Sequence, residues 1–105
     1  MTARAPVLAV TAQRLGVEAL RLGTVCVGYV HEGAAAGRPR YSWTVALSDW
    51  PRRTGPAGSA RQARDQVRQV VEEWLTAAGI IDVGDVIELR VEGRLESAEA
   101  ERVRA

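Results

Sequence analysis

The sequence predicts an α+β fold: a small, mostly antiparallel sheet of three to four strands with one long amphipathic helix (59–78) packed on a face, plus a C-terminal strand and short helix. Three observations point there. Apolar residues between Ser59 and Gly79 recur at three- and four-residue spacing, the signature of a helix with one buried stripe. Residues 24–32 and 41–48 are rich in β-branched and aromatic side chains. Residues 85–92 alternate apolar and charged. At 105 residues the chain is the size of one domain, 1–105, large enough for a core of its own.

The residues before Gly16 admit two conformations. Pro6 can open a short helix with Val7, Val10 and Leu15 inward, while the β-branching of Val7–Ala12 favours a strand. Val17–Leu22 reads as extended, and Gly23 marks a turn or bulge. In Thr24–Glu32, Val25, Val27 and Tyr29 fall on one face and Cys26, Gly28 and Val30 on the other; both are largely apolar, which suits a central strand. The Gly33–Gly37 segment and Arg38-Pro39-Arg40 form the tip of a long hairpin. The next strand, Tyr41–Ser48, has Tyr41, Trp43, Val45 and Leu47 on its buried face.

Asp49–Gly58, rich in proline, glycine and arginine, reads as an irregular loop. Ser59 is the helix N-cap and Gln62 completes a capping box. The stripe comprises Ala63, Val67, Val70, Val71, Trp74, Leu75 and Ala78, with Trp74 as its expected anchor. Gly79 stops the helix. Ile80 and Ile81 lead into a strand over Asp85–Glu92 that turns Ile87, Leu89 and Val91 inward. Residues 94–105 carry a thin apolar stripe, expected to form a loosely packed terminal helix.

Charge is sorted along the chain. Between Arg38 and Arg68 seven arginines face two acids, whereas from Glu72 to Ala105 nine acids face four arginines. The net charge of +1 conceals both blocks. All fourteen basic residues are arginine, and lysine, asparagine and phenylalanine are absent, a pattern that GC-rich coding explains better than phosphate recognition. A single cysteine excludes an internal disulfide and suits a reducing, cytoplasmic setting. No apolar run is long enough to span a membrane, and the N-terminal stretch is too short and too weakly charged for a signal peptide.

The candidate binding residues for a protein or nucleic-acid partner are Arg52, Arg53, Arg61, Arg64 and Arg68, with Trp50 beside them. The last three arginines are expected on the helix face opposite the apolar stripe, near a helix end that favours anions. A loop tryptophan beside arginines can stack on a base. The plainer alternative is a solvated helix face with Asp65, Glu72 and Glu73 as local partners.

The run Ser59-Ala60-Arg61-Gln62-Ala63-Arg64 after a hairpin and a glycine-bearing loop resembles the last helix of double-stranded RNA-binding domains. That family opens this helix with a serine, two lysines, an alanine and a third lysine. The resemblance implies that Arg61 and Arg64 grip phosphates across the groove. It covers a minor part of the chain. Ala60 stands in place of the first lysine, Arg68 and Glu72 stand where the family has small or apolar residues, and its first helix has no counterpart.

No catalytic, cofactor or metal constellation is visible. His31 and Cys26, five residues apart on one strand, are expected on opposite faces, with Cys26 a small buried hydrophobe. The acidic residues of the C-terminal third match no calcium loop. These features lead to a non-enzymatic expectation: a small interaction module, an adaptor or inhibitor of the kind that phages and mobile elements encode, acting on a protein partner through its charge-segregated surfaces. The alternative is a nucleic-acid binder using the arginine-rich loop and helix start. Contact between basic and acidic surfaces of two copies would make a homodimer.

Overall fold

In a computed structural model the described residues are 6–14, 16–33 and 40–92. The order of elements is β1 (Val7–Arg14), β2 (Val17–Leu22), β3 (Val25–Glu32), β4 (Tyr41–Val45), β5 (Arg53–Ala57), α1 (Ala60–Ala77) and β6 (Glu88–Glu92). The strands form one six-stranded sheet in the order β5-β4-β3-β2-β1-β6. The first five make an antiparallel meander, and β6 joins the far edge parallel to β1. The class is the expected α+β, but the sheet has six strands rather than three to four. The expected terminal helix, 94–105, lies outside the described residues, as does most of the β3–β4 hairpin tip.

Several differences have local causes. Residues 7–14 take the extended alternative, completing their hydrogen bonds with β2. The expected loop 49–58 contains β5, which pairs with β4 from Tyr41↔Ala57 to Val45↔Arg53. Gly55 and Pro56 disguise it. On an edge strand proline can leave the outer side without a donor at little cost. A Cβ on Gly55 would lie 2.8 Å from the Trp43 ring, so glycine is what lets that indole lie over the strand. Tyr41–Ser48 stops as a strand at Val45. Ile80 and Ile81 form no strand; Ile81 is buried and Ile80 exposed. The C-terminal strand is an edge of the main sheet rather than an appendage.

Helix α1 is capped at both ends as the sequence requires. Ser59 Oγ accepts from Gln62 N at 3.1 Å, and Gln62 Oε1 accepts from Gly58 N at 2.7 Å. At the other end Gly79 adopts φ 77°, its N–H donates to Thr76 O and that of Ile80 to Leu75 O, a complete Schellman motif. The helix lies over β3, β4 and β5. It comes so close to the sheet that a Cβ on Gly28 would sit 3.1 Å from Val67 Cγ1 and 2.7 Å from Thr44 O. Val67, Val71 and Leu75 provide the buried stripe, whereas Trp74, the expected anchor, is only half-buried and Ala78 is exposed.

The helix packs on β3, β4 and β5, while the strand that follows it lies at the far edge of the sheet beside β1. The connection must cross the sheet, and the 78–87 segment completes the crossing with Ile81 and Ile87 buried in the same core as Leu8, Val10 and Leu20. Glu72 holds it there, its Oε2 accepting from Ile87 N at 2.8 Å.

Candidate functional site

The proposed arginine surface is largely consumed within the fold. Arg64 is buried. Its Nε and Nη2 donate to both carboxylate oxygens of Glu18 in β2, at 2.8 and 2.9 Å. The expectation that Arg64 faces outward is therefore corrected, and with it the phosphate-gripping role that the RNA-binding resemblance implied for it. The signal was present in the spacing. Ala60, Arg64, Val67 and Val71 lie three and four residues apart, so Arg64 occupies a position on the apolar stripe. Glu18 likewise shares its strand face with Leu20 and Leu22. Two opposite charges on facing apolar surfaces point to a buried pair.

The other candidates divide. Arg53 at the end of β5 pairs with Glu73 on the helix at 2.6 Å. Arg68 donates to Asp65 and, at 2.8 Å, to Glu72. The bond to Arg68 holds the Asp65 carboxyl below its ordinary value, against an opposing effect of burial. Hydrogen bonds to Asp65 and Glu72 raise the Arg68 guanidinium in turn. Trp50 packs against the hydrophobic core and is half-buried. Arg52 and Arg61 alone of the six are exposed with no ion pair among the described residues.

A different surface emerges on the side of the sheet that the helix leaves open. The register of β2 and β3 slips between Leu20 and Arg21, so that Leu20 opposes Gly28 and Arg21 opposes Cys26. The extra residue resets the alternation of β3. Cys26, Tyr29 and His31 consequently point to one side, opposite Arg21, Ala19 and Val17, while Gly28 and Val30 face the helix. This overturns the expectation that Cys26 and His31 occupy opposite faces, and shows Cys26 half-buried rather than enclosed. Unbroken alternation was the assumption that failed.

On this face Tyr29 and His31 lie with ring centroids 6.0 Å apart. Hydrogen bonding with the Cys26 thiol pushes the Tyr29 phenol above its ordinary value, and the Arg21 charge works in the opposite direction. Arg21 is half-buried, and its Nε is a buried donor without a hydrogen-bond partner among the described residues. Ser42, Thr44 and Thr54 continue the face towards β5, with Thr54 Oγ1 donating to Trp43 O at 2.7 Å. No described helix or strand packs on this side.

Tyr29 stands between Cys26 and His31 on the face, separating the thiol from the imidazole. Among the described residues no three histidine, cysteine, aspartate or glutamate side chains gather to hold a metal, and no helix is long and apolar enough to cross a membrane. No family model, curated protein or solved structure matches the chain.

Proposed function

We propose that the chain is a non-catalytic protein-interaction module, an adaptor or inhibitor whose partner docks on the helix-free face of the sheet and presents a carboxylate to Arg21. The observation that carries this reading is the unpaired Arg21 Nε, half-sunk among Ala19, Cys26 and Tyr29. Burial of Nε holds the half-buried guanidinium on this face, where a partner carboxylate would form charge-assisted bonds with its accessible part. Tyr29 supplies the aromatic, amphipathic surface that protein interfaces favour. The charge-segregated surfaces expected from the sequence support the reading less, because ion pairs join the two blocks.

The nucleic-acid alternative keeps Arg52 and Arg61 as unpaired exposed candidates. Two measurements separate the readings. A photo-crosslinking residue placed at Ser42, on the open face, is expected to capture a discrete protein, and Arg21→Glu to abolish that capture while Arg61→Glu leaves it intact. Fluorescence anisotropy against short DNA and RNA duplexes is expected to show no binding at physiological salt. Binding that falls by roughly 0.9 log units per neutralised phosphate for each log unit of salt, and is lost on Arg52→Glu with Arg61→Glu, would replace this reading with the nucleic-acid one.

A further inference from the structure

We infer that the outer edge of β6 pairs antiparallel with β6 of a second copy, joining two six-stranded sheets into one. The two edges of the sheet differ in a way that matters for association. The β5 edge carries Pro56, which has no N–H to offer and blunts addition of a strand. The β6 edge carries no proline: Glu88-Leu89-Arg90-Val91-Glu92 is a regular strand, and no described strand pairs with its outer side.

The sequence of β6 complements itself. With the twofold axis at Leu89, Leu89 meets its own copy, Glu88 faces the partner's Arg90 and Arg90 faces the partner's Glu88. On the helix-bearing side Ile87 then opposes the partner's Val91, extending the apolar row of Leu8 and Val10 across the junction. Centring on Arg90 instead would set arginine against arginine and Glu88 against Glu92, so charge rejects that register. Centring on Val91 would satisfy Arg90 with Glu92 but leave Leu89 opposite no residue of β6, losing the apolar match.

Exposed apolar side chains also mark the connection that precedes β6. Four large apolar side chains stand out among the described residues, and three of them, Ile80, Val83 and Val86, lie in the segment leading into β6. Val83 is 89% exposed. The β6 edge is separate from the helix-free face, so self-association and partner docking stand or fall independently.

Sedimentation velocity on the full chain across micromolar to submillimolar concentration is the test. The expected result is a concentration-dependent shift from 11.4 kDa to twice that mass. Glu88→Arg alone or Arg90→Glu alone is expected to raise the dimer dissociation constant about tenfold, and the double exchange to restore it. Circular dichroism of these exposed-site variants checks that each remains folded. In a Cys26→Ser background, Leu89→Cys is expected to oxidise to a linked dimer, since opposed residues of an antiparallel pair sit about 4.5–5.5 Å apart. A monomer throughout the range would overturn the inference, as would a dimer indifferent to both single reversals. Cross-linking by Val91→Cys in place of Leu89→Cys would overturn the register.

Discussion

Glu18 and Arg64 neutralise each other where neither is solvated, and that makes each dependent on the other. Glu18→Ala takes two charge-assisted bonds from the buried Arg64, and Arg64→Ala takes both from the buried Glu18 carboxylate, with an expected loss of about 3–5 kcal/mol in urea unfolding. Replacing both, Glu18→Leu with Arg64→Met, is expected to be neutral or stabilising by about 1–4 kcal/mol. Single substitutions costing under about 1 kcal/mol would mean that water reaches the pair. Asp65 gives a pH test at the same scale. Its folded value is depressed below the ordinary 3.8, so the stability it contributes is complete above that value and is lost as pH falls through the folded one. A titration of the Asp65 carboxyl by NMR should show an inflection below the ordinary value, and Arg68→Gln should move it upward. An inflection at or above 3.8 in the unaltered protein would contradict the Arg68 contact. At this scale the buried pair was legible from spacing. The unpaired state of Arg21 was not, because it depends on which residues β1 and β3 place around it.

Among the elements, α1 is the most legible, since capping residue, apolar period and terminal glycine all agree on its limits. Strand β5 is hidden because its Gly55 serves the Trp43 ring and its Pro56 serves the edge, so neither follows strand composition. The β3 bulge is hidden for another reason: a one-residue register slip leaves no compositional trace, yet it decides which side chains share a face. Gly28 beside that bulge is the tightest point between sheet and helix. Gly28→Ala is expected to destabilise the protein by about 1–3 kcal/mol through overpacking against Val67 and Thr44 O. Pairing it with Val67→Ala should recover part of the loss, and equal unfolding midpoints for Gly28→Ala and the parent would show that the helix can shift away freely.

For the molecule as a whole, folding offsets part of the sorting of charge along the chain. Arg53 reaches Glu73, Arg64 reaches Glu18, and Arg68 reaches Glu72, so much of the basic block is answered from outside itself. Linear charge blocks are legible as composition, but the surface they produce depends on which elements topology brings together. The fold class was likewise legible, while strand number and the parallel placement of β6 depended on long-range pairing.

That placement has a consequence for biosynthesis. The strand that pairs with β1 is separated from it by four strands and a helix, so a nascent chain that has emerged only as far as Gly79 carries β1 with its outer backbone donors and acceptors unanswered. Contacts of such sequence separation form slowly, and an unfinished sheet edge invites pairing with neighbouring chains. On a crowded polysome, the interval between synthesis of the helix and arrival of β6 is the period in which this protein is most exposed to aggregation.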